Sequence, residues 1–142
     1  AMGSPGLRTA LGLPTASLHV RALACFSGFF YTARKDGPGL VYAPNLYGEK
    51  KKDPSLMRYM NPECPEVMGS LPPVFLAGSD ADFLKSYTTR YAAALRKAEH
   101  PCELVYYTGN QELTHAFPAL KPELPESRDV LDRLVKWFFT IV

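Results

Sequence analysis

Three short runs of apolar residues form the strongest pattern in the chain, and each predicts a β-strand. They are VRALACFSGFF at residues 20–30, PPVFLAGS at 72–79 and CELVYYTG at 102–109. The first two are continuous rather than alternating, which is typical of strands covered by helices on both faces. The third contains more polar positions, so we expect it nearer an edge of the sheet.

Two longer segments repeat their apolar residues every three or four positions, which predicts amphipathic helices. They are DFLKSYTTRYAAALRKAEH at residues 82–100 and ESRDVLDRLVKWFFTIV at 126–142. The predicted core face of the second helix comprises Val130, Leu131, Leu134, Val135, Phe138 and Ile141. From residue 72 onward the order is strand, helix, strand, loop, helix, which predicts an α/β fold with a parallel sheet and right-handed crossovers.

The first half of the chain gives a weaker pattern. Residues 31–70 are rich in Gly and Pro, and we interpret them as an irregular excursion with one short helix near 54–60. The first predicted strand has no partner upstream, so the three strands look like half of a larger sheet. The opening AMGSPG, residues 1–6, is typical of a cloning remnant and is left out of the fold prediction, so residues 7–142 form one partial domain.

Composition indicates which classes of partner and which cellular compartment to expect. The 142 residues carry a formal net charge of +2, which gives no reason to expect nucleic acid as a partner. The basic run Lys50–Lys52 is flanked by acidic residues, and we interpret it as a solvated turn. Three widely spaced cysteines favour free thiols in a reducing compartment, so we expect a cytoplasmic protein. No stretch reaches the ~20 apolar residues of a membrane span.

Two chemically useful side chains follow consecutive predicted strands. Asp82 comes after the strand at 72–79, and His115 comes after the strand at 102–109. The carboxyl ends of parallel strands meet at one edge of the sheet, where ligand groups gather, so we expect the two side chains to be neighbours. An Asp that accepts the ring N–H of a His is the orienting acid of a general base. Asp80 stays open as the alternative acid.

The segment from LPPVFLAGSDADFL to LTHAF resembles the C-terminal part of an α/β-hydrolase, nearest to the hormone-sensitive-lipase-like esterases. Asp82-Phe83-Leu84 is similar to the family's acid segment, Tyr91-Ala92 with Leu95 to the helix that follows it, and His115-Ala116-Phe117 to its HGF base segment. Ala116 stands where the family has glycine. The resemblance covers roughly residues 15–142 and implies the C-terminal half of an α/β-hydrolase fold, a parallel three-strand sheet flanked by helices.

The resemblance also implies what the chain lacks. The family's nucleophile is a serine on a G-x-S-x-G turn that precedes the acid and the base in the chain, and no such motif is present. Ser27 has Cys25 in place of the first glycine and no helix pattern directly after it, and Ser70 precedes prolines. We therefore expect the serine and the oxyanion hole upstream of residue 1, with Asp82 and His115 as the catalytic residues contained in this chain.

The function implied for the parent protein is a carboxylesterase or lipase that acts on a small-molecule ester without metal or organic cofactor. The 142 residues alone are expected to be inactive. Residues 31–70 correspond to the substrate side of the family's fold. Two alternatives remain open: a hydrolase fragment of the prolyl-oligopeptidase or dienelactone type, or a non-catalytic half-domain that forms homo-oligomers through its exposed sheet edge.

Overall fold

A computed structural model describes residues 4–14, 19–48 and 52–141, so Lys50 and Lys51 of the predicted solvated turn lie outside the described residues. The chain divides into two compact units. The helical unit comprises Ala1–Val20 and Phe30–Leu71, and the sheet unit comprises Arg21–Phe29 and Pro72–Val142. None of the helices in the described ranges has the length and hydropathy of a membrane span.

The sheet unit contains the three parallel strands that the apolar runs predict. Leu76 on the central strand aligns with Cys25 on one side and with Leu104 on the other. The central strand is buried at every position, which explains why its sequence is continuously apolar. The third strand lies at an edge, as its polar residues predict. The strands are β1 (Leu23–Phe26), β2 (Val74–Ser79) and β3 (Cys102–Tyr107).

Strand β1 is shorter than its apolar sequence predicts. Ser27 has a backbone φ of 58°, in the left-handed region, and this conformation ends the extended strand. The apolar residues beyond it still contribute to packing, because the ring of Phe29 lies 5.3 Å from that of Tyr87. The run of apolar residues at 20–30 therefore contains one short strand, and beyond its end Phe29 packs on Tyr87.

The predicted strand–helix–strand order continues as a βαβα unit. Helix α5 (Lys85–Lys97) joins β2 to β3, and α6 (Phe117–Leu120) and α7 (Pro125–Ile141) follow β3. Helix α5 begins three residues later than the sequence pattern, because residues 80–84 form a turn that presents Asp82. The main core lies between the sheet and the helices after β3 and contains Phe75, Ala77, Val105, Leu113, Phe117 and Val130.

Helix α7 buries less of its apolar face than the periodicity predicts. Val130 is fully buried, and the ring of Trp137 lies 5.5 Å from that of Phe75 on the sheet. Leu131, Val135 and Phe138 are exposed, so the prediction that they belong to the core is wrong within the part of the chain that is described. An apolar groove of about 530 Å³ beside β1 is lined by Ala22, Ala24, Leu134, Val135, Trp137, Phe138 and Phe139.

The helical unit is more regular than its Gly and Pro content predicts. The short helix predicted near 54–60 is present, but an additional helix spans residues 37–47, where the sequence analysis expected irregular chain. Asp36 begins that helix by accepting a hydrogen bond from the Gly39 N–H at 3.0 Å, as an N-cap does. The helices are α1 (Pro5–Leu11), α2 (Gly37–Tyr47), α3 (Pro54–Met57), a 3₁₀ turn (Arg58–Met60) and α4 (Pro65–Gly69).

The residues left out of the fold prediction contribute to this unit. Ser4 caps α1 by accepting from the Leu7 N–H at 3.2 Å, and its hydroxyl donates to Glu66 at 3.1 Å. The Gly6 N–H and the Tyr59 hydroxyl each donate to the same carboxylate at 3.0 Å. Residues 4–6 are therefore an integral part of the helical unit.

Candidate active site

The two candidate catalytic residues lie in the turns that follow β2 and β3. Asp82 lies in the turn between β2 and α5, and His115 lies in the loop between β3 and α6. The strands are parallel neighbours, so both turns leave the same edge of the sheet. The crossover through α5 thus brings together two side chains that are far apart in the sequence.

Asp82 and His115 are in direct contact. Nδ1 of His115 lies 3.2 Å from Oδ1 of Asp82, and the Leu84 N–H donates to the same oxygen at 2.9 Å. The side chain of Asp82 is 1% exposed, whereas that of His115 is 39% exposed. A buried carboxylate needs hydrogen-bonded partners because it has lost its water, and here the imidazole and a backbone amide supply them.

The second carboxylate oxygen of Asp82 has a different environment. Oδ2 is buried and has no hydrogen-bond partner among the described residues. The negative charge of Asp82 is therefore compensated from the Oδ1 side, which the imidazole faces. This asymmetry favours the tautomer in which His115 carries its proton on Nδ1 and leaves Nε2 free to accept one.

Asp80, the alternative acid, has a different set of contacts. Its Oδ2 accepts a hydrogen bond from the Gly109 N–H at 2.9 Å, and its backbone carbonyl accepts from Nζ of Lys85 at 2.9 Å. Asp80 thus connects the end of β2 to the start of the loop that leads to His115. Burial, followed by the negative charges of Asp80 and Asp82, raises the pKa of the Tyr106 hydroxyl.

Two serines that the sequence analysis did not assign to the site contact the loop around His115. The Ala116 N–H donates to Oγ of Ser27 at 2.9 Å, and Oγ of Ser79 donates to the carbonyl of Leu113. Both serines are buried. The sequence analysis considered Ser27, which lies within the first apolar run, only as a nucleophile, and it gave no role to Ser79, which ends the second run.

The exposed face of the imidazole is partly covered by Phe83. The two rings are 4.7 Å apart between centroids and inclined by 35°, although Phe83 itself is largely exposed. Phe83 follows Asp82 directly, so the turn after β2 supplies two side chains that contact the imidazole of His115.

Neither candidate serine has the setting of a nucleophile turn. Ser27 follows a strand and has a left-handed backbone, but it is 4% exposed and no helix follows it until α2. Ser70 lies in the helical unit, and its hydroxyl donates to the carbonyl of Val67 at 2.9 Å. Within the described ranges, no group of three or more His, Cys, Asp or Glu side chains is arranged to hold a metal ion.

No protein-family model matches the sequence, and a comparison with curated proteins gives no match. Several solved structures are similar. Esterase B from Lactobacillus rhamnosis, in a structure with a tributyrin phosphonate, has a TM-score of 0.82 and 17% identity over 99% of this chain and 46% of that chain. An esterase E25 has a TM-score of 0.66 and 24% identity over 99% and 45% of the two chains.

A third structure, EstE5 soaked with p-nitrophenyl butyrate, has a TM-score of 0.61 and 17% identity over 92% of this chain and 45% of that chain. The chain spans about half the length of these esterases. Together with the three parallel strands and their flanking helices, the likeness shows that this chain has the fold of the C-terminal half of an α/β-hydrolase.

Proposed function

We propose that this chain supplies the acid and the base of a serine carboxylic ester hydrolase. A serine upstream attacks the ester carbonyl while His115 takes its proton at Nε2, and His115 then returns that proton to the leaving alcohol. Asp82 holds the imidazole in the required tautomer and stabilises the imidazolium that forms. Backbone N–H groups upstream stabilise the oxyanion. The observation that carries the proposal is the contact between buried Asp82 and the partly exposed His115.

The different exposures of the two side chains support their different roles. An orienting acid works best away from water, because its attraction to the imidazolium is then little screened. A general base must remain open on the side from which it receives a proton. Asp82 is almost completely buried and His115 is not, which is the division of roles that the mechanism requires.

The substrate we propose is a carboxylic ester with a short acyl chain. This choice rests on the three solved neighbours, two of which are named esterases. One of them is described with a tributyrin phosphonate and another with p-nitrophenyl butyrate. The butyryl ester is therefore the first probe, ahead of peptide or lactone substrates.

We also propose that the nucleophile lies in a part of the parent protein that precedes these 142 residues. Two observations support this. The similar esterases are about twice as long as this chain. In the part of the chain that is described, β1 has a neighbour on one side alone, and the apolar groove lies beside it. A sheet edge and an apolar surface of this kind suit a larger sheet with further packing elements.

Hydrolysis of p-nitrophenyl butyrate, measured with the 142-residue chain and with the full natural chain, tests the proposal. We expect turnover in the full chain, turnover indistinguishable from buffer in the 142 residues, and a loss on the order of 10⁶-fold in kcat for His115→Gln in the full chain. His19→Gln, which changes an exposed histidine, is the matched control. Serine-dependent turnover by the 142 residues, or full activity of His115→Gln, would refute the proposal.

A further inference from the structure

Two serine hydroxyls hold the main chain around His115, one on each side of it. On the N-terminal side, the Leu113 carbonyl accepts a hydrogen bond from Oγ of Ser79, the last residue of β2. On the C-terminal side, the Ala116 N–H donates to Oγ of Ser27, the residue that follows β1, at 2.9 Å. The loop that carries the base is thus fixed to the ends of two adjacent strands.

Burial makes these two contacts strong constraints. Ser27 is 4% exposed and Ser79 is fully buried. Removing either hydroxyl would therefore leave a buried backbone group without a partner, which is costly because water does not reach it. The N–H of Ser27 also donates to the carbonyl of Ala77 at 3.0 Å, so its side chain is tied to the sheet. The backbone around His115 therefore inherits the rigidity of the sheet rather than the mobility of a surface loop.

Ala116 shows why such a constraint is needed. Its φ of 52° and ψ of 33° lie in the left-handed region, which costs an alanine of the order of 1 kcal/mol. The residue that follows, Phe117, is fully buried in the core. The chain must turn sharply between His115 and Phe117, and the hydrogen bond to Ser27 holds the amide at that turn.

We propose that Ser27 and Ser79 are positioning residues that keep Nδ1 of His115 directed at Asp82, an inference that rests on the function proposed above. Neither hydroxyl contacts the imidazole or the carboxylate in the described structure. They act through the backbone at Leu113 and Ala116. Without them the loop relaxes, the imidazole samples other orientations, and Asp82 no longer selects the Nδ1–H tautomer.

The tautomer of His115 is the decisive measurement, because it reports the contact with Asp82 and not overall stability. In the full natural chain labelled with ¹⁵N-histidine, imidazole ¹⁵N shifts at about pH 9, well above the ordinary imidazole pKa, give the proportion of each tautomer. We expect Nδ1–H to dominate in the wild type and to fall at least about twofold in Ser27→Ala and Ser79→Ala. The kcat for p-nitrophenyl butyrate should fall about 10- to 100-fold with KM within about twofold.

Two further variants separate positioning from folding. Ser27→Gly removes the hydroxyl but favours the left-handed backbone of that residue, so it tests the hydroxyl without added strain, and we expect it to behave like Ser27→Ala. Ser127→Ala is the matched control, since that buried serine donates to the carbonyl of Phe117 at 3.2 Å, beyond the turn. It should cost stability and leave the tautomer unchanged.

Each result leads to a different conclusion. A wild type rich in Nδ1–H, with tautomer and kcat unchanged in all the Ser27 and Ser79 variants, overturns the positioning role and leaves the proposed function standing. A wild type dominated by Nε2–H removes the Asp82–His115 pair, and with it both proposals. Covalent attachment of a butyl phosphonate to Ser27 would identify that residue as the nucleophile and overturn its positioning role.

Discussion

Replacing Asp82 by Asn isolates what its charge contributes. The substitution keeps the shape of the side chain and an oxygen that accepts from the Leu84 N–H at 2.9 Å, but removes the charge that faces Nδ1 of His115. A hydrogen bond to a charged group contributes about 1.5–3 kcal/mol. At about 1.4 kcal/mol for each tenfold change in rate, this loss alone lowers kcat roughly 10- to 150-fold. If the amide also reverses the tautomer of His115, the loss approaches 10⁴-fold.

The assay is steady-state hydrolysis of p-nitrophenyl butyrate by the full natural chain, with thermal unfolding to show that the variant is folded. Asp80→Asn is the matched control, because its amide oxygen can still accept from the Gly109 N–H and Asp80 does not contact His115 in the described structure. We expect that control to stay within about threefold of the wild type. An Asp82→Asn kcat within about threefold of the wild type, or a larger loss in Asp80→Asn, would refute the assignment of the acid.

Three further predictions concern stability and association. Gly6→Ala should lower the midpoint of thermal unfolding, measured by calorimetry, by about 4 °C or more. The new Cβ would lie 2.1 Å from Oε1 of Glu66 and 2.3 Å from the Tyr59 hydroxyl. Gly37→Ala is the control and should not lower the midpoint, because its Cβ meets nothing within 4 Å. The pKa of Glu66 is lowered, chiefly by the hydrogen bond from the Tyr59 hydroxyl. Because the folded pKa is the lower one, ionised Glu66 stabilises the fold above the unfolded pKa of about 4.3, and this stabilisation is lost as the pH falls through the folded pKa. The thermal midpoint should therefore fall on acidification below about pH 5, and a Glu66→Gln variant with the same pH dependence would contradict this. We expect the 142-residue chain to self-associate through the apolar groove beside β1, which Phe139, 76% exposed, helps to line. Phe139→Ser should therefore weaken association in sedimentation velocity and leave the thermal midpoint unchanged. Equal association of the wild-type and Phe139→Ser chains would exclude the groove as the contact.

Prediction from sequence succeeds here where burial is uniform. Strand β2 is buried at every position, and one face of α5 packs on the sheet, so a simple hydrophobic pattern identifies both. Prediction from sequence fails for α2, because that helix contains Pro44 and proline disfavours the interior of a helix. The start of that helix was detectable, since Asp36 before Gly37 and Pro38 is an N-cap followed by an early proline.

The sequence likewise predicts some residues of the candidate site and not others. Asp82 and His115 could be predicted because strand order brings them together once the sheet is parallel. Ser27 and Ser79 could not, because their role depends on hydrogen bonds to the backbone at Ala116 and Leu113. A backbone partner leaves no mark of its own in the sequence. The exposed side of α7 also escaped prediction, since periodicity identifies an apolar face but not what covers it.

The arrangement around His115 connects the loop of this proposed base to a single sheet through three contacts. The turn after β2 supplies Asp82, β2 itself supplies Ser79, and the residue that follows β1 is Ser27. Ser79 lies in the sheet and the other two residues lie beyond the ends of its strands, so the three contacts meet the loop before, at and after the imidazole. In the proposed mechanism, pre-organisation of this kind removes an entropic cost, because the imidazole does not have to find its orientation when the substrate binds.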